Sequence, residues 1–157
     1  MPTESERKFL VVDDGWRAET MEASPIRQLY LFVGPDRSVR LRFRADRTPM
    51  LAFKFGAHAR NRQEYEYPVP MEEAEEMARF AVGNVIEKTR NLVRHRGYVY
   101  EVDEFSGALA GLVVAELETE DEVADADLPA WLGMEITGNP AYYNASLALN
   151  GLPEPTL

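Results

Sequence analysis

The chain has 157 residues, no cysteine and a formal net charge of −10. That length fits one domain with a substantial buried core. The missing thiols exclude disulfides and thiolate metal sites and favour a reducing, cytoplasmic setting. The acidic balance argues against duplex nucleic acid as a partner, and no apolar run approaches the ~18 residues a membrane span requires.

Taken in chain order, alternation of apolar and polar residues predicts strands over 3–12, 26–33, 38–46, 50–56, 62–69, 85–93, 98–105 and 111–118. Turn chemistry separates them: Asp13-Asp14-Gly15 after the first, Gly34-Pro35-Asp36 after the second, and Arg96-Gly97 between the sixth and seventh. Residues 70–80 are predicted as a helix, with acidic first turns that suit the helix dipole and an apolar face of Met71, Ala74, Met77, Ala78 and Phe80. Asn139-Pro140 has the form of an N-cap followed by proline in the first turn, so a second helix is expected from there through Ala148. The tail, 153–157, is expected to fray. Trp16 and Trp131 are expected to pack over the sheet, and His58 and His95 to be solvated. The class is α+β, built on a β-barrel or strongly curved sheet with flanking helices.

Residues two apart on a strand point to one face. On that reading Glu4, Glu6 and Lys8 share a face, as do Arg40, Arg42 and Arg44, Glu64 and Glu66, Lys88 and Arg90, Glu101 and Asp103, and Glu116 and Glu118. The alternate positions are largely apolar or aromatic, including Val39, Leu41 and Phe43 on one strand and Ala115 and Leu117 on another. Lys54 lies between Phe53 and Phe55 in the same style. Any single strand of this kind is most simply a half-buried strand with a solvated side. Together they are unusual, because whole strands carry one sign of charge and like charges side by side repel. Basic strands facing acidic strands across a barrel would compensate them, and a polyanion bridged by metal cations would do so better. Carboxylates suit hard cations such as Mg²⁺ or Mn²⁺, and guanidinium and ammonium groups suit a phosphate chain. No glycine-rich phosphate loop is present, so phosphate binding would rest on side chains.

The segment Glu4-Ser5-Glu6-Arg7-Lys8 resembles the ExExK opening motif of the CYTH, or triphosphate tunnel metalloenzyme, superfamily. The likeness continues in order through Ile26-Arg27-Gln28-Leu29-Tyr30-Leu31, Arg40-Leu41-Arg42-Phe43-Arg44, Phe53-Lys54, Glu64-Tyr65-Glu66, Glu87-Lys88-Thr89-Arg90, Glu101-Val102-Asp103, Glu116-Leu117-Glu118 and the closing run from Gly133 to Asn144. The resemblance implies a single tunnel domain over 1–152, an eight-stranded antiparallel β-barrel with a charged interior. It implies metal ligation by Glu4, Glu6, Asp103, Glu116 and Glu118. It also implies triphosphate binding by Lys8, Arg27, Lys54, Lys88, Arg90 and two of Arg40, Arg42 and Arg44, with Arg42 in the RxR pair under either alignment. Glu64, Glu66 and Glu101 would be further tunnel carboxylates. Glu116 would act in catalysis, and Tyr30 beside Lys54 would assist proton handling. The chain departs from the family where Ala141 replaces a frequent basic residue.

Three functions are compatible with such a chain. The first is a metal-dependent triphosphatase splitting tripolyphosphate into pyrophosphate and phosphate. The second is an adenylate cyclase on the same scaffold, for which the sequence offers no evident adenine seat. The third is a non-catalytic phosphate or nucleotide sensor, which has no need of the carboxylates. A small-molecule triphosphate is the expected partner in the first, and monomer and homodimer are both compatible with the sequence.

Overall fold

Alternating sequence carries most of the chain into one antiparallel sheet. The computed structural model describes residues 5–45, 47–56 and 62–153; Glu4, His58 and the end of the tail lie outside them. The strands are β1 (Ser5–Val11), β2 (Thr20–Val33), β3 (Arg37–Arg44), β4 (Met50–Phe55), β5 (Gln63–Pro68), β6 (Val82–His95), β7 (Tyr98–Ser106), β8 (Val113–Thr119) and β9 (Leu132–Glu135), with helices α1 (Met71–Met77) and α2 (Asn144–Asn150). Their order across the sheet is β5-β4-β3-β2-β6-β7-β8-β1-β9. None of the helices is long and apolar enough to cross a membrane.

The expected eight-stranded closed barrel is corrected in two respects. There are nine strands among the described residues, and β5 and β9 are edges rather than partners. The ninth strand has only four residues, too few to show a period, and it occupies the free edge of β1 across a register shift between Phe9 and Val11. The sheet is nonetheless strongly curled. Leu10, Tyr30, Ile86, Phe105 and Val114, drawn from β1, β2, β6, β7 and β8, meet in one cluster with Ile136 and with Leu147 and Ala148 of α2. Arg44 of β3 and Glu101 of β7, three strands apart in the order, also interact electrostatically, as charges on the inside of a curled sheet do.

The convex side is covered in two places. Leu29, Leu41 and Phe43 pack with Val69 beneath Ala74 of α1. Val93, Tyr100, Val102, Ala115 and Leu117 pack beneath Trp16 and Trp131, as expected of both tryptophans. Burying an aliphatic or aromatic side chain in such a cluster contributes roughly 1.5–3 kcal/mol.

The helix expected from Asn139 is broken in two. The Asn139 side chain accepts a hydrogen bond from the Ala141 amide at 3.1 Å, capping a short 3-10 turn over Pro140–Tyr142. Tyr143 is then extended, at φ −67° and ψ 143°, and α2 starts after it. α2 sits on the apolar end of the concave face. Gly83, at φ 72°, lets β6 approach it, because a Cβ there would run into the Ala148 carbonyl. Gly83→Ala therefore combines left-handed strain with a backbone clash and should destabilise by more than the ~1 kcal/mol that such a replacement gains at a compatible site. A melting temperature lowered by several degrees is the expected result, at about 2–4 °C per kcal/mol for a chain this size. An unchanged melting curve would mean that α2 is not held against β6.

Candidate active site

Strand register places the predicted charged residues. Glu6 and Lys8 of β1 lie opposite Glu118 and Glu116 of β8, and Glu116 lies opposite Glu101 of β7. Arg90 lies opposite Asp103, while Arg40 lies between Tyr30 of β2 and Ala52 of β4. Glu64 faces Lys54, and Glu66 faces Ala52. Fifteen of the predicted site residues are thereby gathered on the concave face, acidic on the β1, β7 and β8 side and basic on the β3 and β4 side.

Arg27 is the exception and is corrected. It occupies the odd, convex phase of β2, opposite Phe43 and Glu87. Its guanidinium stacks 3.9 Å from the centre of the Phe43 ring and pairs with Glu75 of α1 at 2.5 Å. It ties α1 to the sheet and does not face the cleft.

Asp103 is the most tightly held carboxylate. It accepts hydrogen bonds from Arg90 Nε and Nη2, both at 2.9 Å, and from Lys88 Nζ at 2.8 Å. Arg90 also reaches Glu101 at 2.7 Å. The Lys88 side chain is 1% exposed and the Asp103 side chain 6%. Burial pushes the Asp103 carboxyl upward, but the Arg90 hydrogen bonds and the Lys88 charge outweigh it and hold it at about 2. For Arg90, burial works against the charge and Asp103 overrides it, raising its pKa. For Lys88, burial prevails over Asp103 and lowers it. The expected metal ligand Asp103 and the expected phosphate ligands Lys88 and Arg90 are thus engaged with one another.

The remaining cations are less neutralised. Arg40, Arg42 and Arg44 line a cavity of about 390 Å³ with Arg47, Thr48 and Met50. Arg40 reaches Glu64 and Glu66 only at 3.9 and 4.0 Å, and its Nε is buried without a hydrogen-bond partner. Arg42 is lowered to about 10 by burial and then by the charges of Arg40, Arg44 and Arg90. Burial and the Arg40 charge also lower Lys54. Such a group of cations, burdened by burial and by one another's charge, has electrostatics suited to an anion. Tyr30 is buried in the apolar cluster at the α2 end, and burial raises its pKa against the pull of Arg40 and Arg42. It remains a neutral hydroxyl at physiological pH.

On the acidic side Lys8 approaches Glu116 at 3.3 Å. The Glu6 carboxyl is raised by burial, then by Glu116, against an opposing effect of Lys8, with Glu118 and Glu101 adding to the repulsion. Among the described residues no three carboxylates or histidines are drawn close enough to hold a metal ion by themselves. A Mg²⁺-like ion does not need such a cage, since it binds through one or two carboxylates together with waters and substrate phosphates. Mutual repulsion of Glu6, Glu116 and Glu118 fits that requirement.

Gln28, which carries no charge and so escapes a reading by charge alone, is fully buried on the same face. Its Oε1 accepts from Arg42 Nε at 2.9 Å. The available signal was parity: Gln28 shares the phase of Tyr30, whereas Arg27 does not.

The fold and the cleft define a protein that gathers opposed charges inside a curled antiparallel sheet. Comparison with known proteins agrees. The CYTH domain model matches residues 2–148. The inorganic triphosphatase of Acetivibrio thermocellus is 40% identical over 151 residues, covering 96% of each chain. That of Nitrosomonas europaea is 35% identical over 153 residues, covering 94% of this chain and 98% of the other. The crystal structure of the inorganic triphosphatase NE1496 superposes with a TM-score of 0.75 at 33% identity, covering 98% of this chain and 99% of that one. The chain belongs to the CYTH domain family.

The geometry sets a stability test. Asp103 titrates near 3.8 when unfolded and about 2 when folded. A depressed carboxyl contributes stability that is complete above the unfolded value and is lost as pH falls toward the folded one. Asp103→Asn removes that contribution and leaves Lys88 buried without its anion, a change that typically costs about 3–5 kcal/mol. The variant should melt well below the wild type at neutral pH and show a flatter loss of stability between about pH 4 and 2. Identical pH–melting profiles would show that the Lys88–Asp103–Arg90 group does not carry the buried charge.

Proposed function

We propose that the protein is a divalent-metal-dependent inorganic triphosphatase that hydrolyses tripolyphosphate to pyrophosphate and phosphate. The observation that carries this reading is the separation of charge within one cleft. An under-neutralised basic wall of Arg40, Arg42, Arg44 and Lys54 faces crowded carboxylates on Glu6, Glu116 and Glu118. The naming of two relatives at 35–40% identity as inorganic triphosphatases supports the choice of substrate.

In this reading Arg40, Arg42, Arg44 and Lys54 hold the phosphate chain, and Arg42 can offer a bidentate contact. Lys8 adds a cation to the acidic wall, where it contacts Glu116. Lys88 and Arg90, paired with Asp103 and Glu101, brace the basic wall from beneath. Lys54, whose protonated form burial disfavours, is suited to hand a proton to the leaving phosphate. Tyr30 supplies a neutral hydroxyl. Glu6, Glu116 and Glu118, with Glu4 from outside the described residues, would hold Mg²⁺ or Mn²⁺, which supplies charge neutralisation on phosphate oxygens and an acidified water.

Phosphate release from tripolyphosphate, ATP and thiamine triphosphate, with cyclic AMP measured in parallel, tests the reading. Tripolyphosphate should be the preferred substrate, turnover should require added metal, and Ca²⁺ should inhibit, because its longer and looser coordination misplaces the phosphates. Full turnover in excess chelator would overturn the metal-dependent mechanism, and cyclic AMP as the main product would replace a hydrolase with a cyclase.

Substitutions separate the two walls. Glu116→Gln should cut turnover by about a hundredfold, the scale of a lost transition-state contact. Its metal-free melting temperature should stay nearly level, since losing the Lys8 contact is offset by less repulsion on Glu6. Arg42→Ala should reduce kcat/KM by a similar factor, whereas Arg79→Ala, in the exposed 3-10 turn after α1, should do little. Near wild-type kinetics in both Glu116→Gln and Arg42→Ala would place the reaction elsewhere.

A further inference from the structure

Gln28 has no place in the charge pattern, yet it is completely buried at the middle of the concave face. It lies opposite Arg42 in β3 and Ile86 in β6. Its Oε1 accepts from Arg42 Nε at 2.9 Å, and its Nε2 is buried with no hydrogen-bond partner among the described residues. An orphaned buried donor is unfavourable. A leucine or methionine of similar volume, like the neighbouring Ile26 and Ile86, would avoid that penalty. The amide must therefore be explained by what its oxygen does.

That oxygen holds the least comfortable cation in the cleft. Arg42 is buried among Arg40, Arg44 and Arg90, and no ion pair to it is found among the described residues. Repulsion from three cations favours rotamers that carry the guanidinium away from them. One hydrogen bond to Nε opposes this. Among the described residues Nε is the only Arg42 donor used, so the bond leaves both terminal amino groups available. A carboxylate in the same position would grip Nε more firmly but would cancel the charge that an anion needs.

We propose that Gln28 is a positioning residue for Arg42. Its neutral amide fixes the guanidinium at Nε and reserves its full charge and its terminal amino groups for a phosphate of the substrate. This rests on the reading of the cleft as a phosphate site and names the device that prepares it before substrate arrives. Preorganisation of this kind lowers the ordering cost of binding.

Two variants test it. Gln28→Met removes the acceptor at nearly constant volume. Gln28→Glu keeps the acceptor and adds a negative charge. Tripolyphosphate binding is measured by calorimetry in excess chelator, where no metal-dependent turnover occurs, and the Arg42 Nε–H resonance is followed by ¹⁵N NMR. In the wild type that proton should be protected from exchange. In Gln28→Met it should exchange freely, and affinity should fall by about tenfold, the scale of a hydrogen bond to a charged group. The melting temperature should hold or rise as the orphaned donor disappears. Gln28→Glu should keep the protected proton but bind tripolyphosphate even more weakly. In an Arg42→Met background, Gln28→Met should have no further effect on affinity, a coupling that a merely structural role would not produce. If Gln28→Met retains wild-type affinity, or if its loss persists undiminished without Arg42, the proposal is overturned. Should Gln28→Met fail to fold, tight binding by Gln28→Glu overturns it equally. A wild type that binds tripolyphosphate but does not hydrolyse it refutes the triphosphatase reading alone.

Discussion

Asp103, bracketed by Lys88 and Arg90 at 2.8–2.9 Å, is the contact on which the charged cleft depends. A cation buried in a curled sheet loses its hydration, and a lysine so placed tends to shed its proton. One carboxylate shared between two cations keeps both in place, and Glu101 completes the neutralisation of Arg90. With that knot tied in the floor, the wall above it can stay electrically unbalanced. Arg40 has only loose contacts and Arg42 has a neutral partner. The cleft is therefore two charge systems of different purpose, one closed on itself and one left open.

A sheet with charge on its concave side must find its apolar core elsewhere. The outward phases of β2 and β3 are covered by α1, and those of β6, β7 and β8 by the segments carrying Trp16 and Trp131. At the α2 end the concave face turns largely apolar, through Leu10, Tyr30, Ile86, Phe105 and Val114. α1 is joined to the sheet by an ion pair and a stacking contact through Arg27, on the face away from the cleft. Stability and binding are thereby assigned to opposite phases of the same strands, and a shift of one residue in register would exchange them.

Much of this division was legible in the sequence because the strand period is two and most charges of the cleft-lining strands fall on one phase. Single-sign strands such as Arg40-Arg42-Arg44 identified the cleft-facing side before any contact was known. Partner choice was not legible. Whether Asp103 meets a carboxylate cluster or two cations depends on register between β6 and β7, which alternation within one strand does not specify. Arg27 was grouped with the cleft by motif position although its phase differs from that of Tyr30, and Gln28 was passed over because an amide carries no charge. The ninth strand was too short to show a period, and the second helix was interrupted at Tyr143, whose extended backbone leaves no mark in composition. Closure of the sheet was equally out of reach, since it concerns the free edges of β5 and β9 rather than any residue pattern.

The two tryptophans are the whole indole content of the chain, and both lie in the same convex cluster. Arg17 sits 4.3 Å from the centre of the Trp16 ring, and Tyr100 meets Trp131 edge-on at 5.6 Å. Tryptophan emission from this protein, excited beyond the tyrosine absorption, therefore comes from one flank of the sheet, the backs of β6, β7 and β8. An optical unfolding trace follows the loosening of that flank, while the β2–β3 flank beneath α1 stays dark. A tryptophan introduced at exposed Phe80, beside α1, would make the second flank visible and allow the two halves of the sheet to be watched separately.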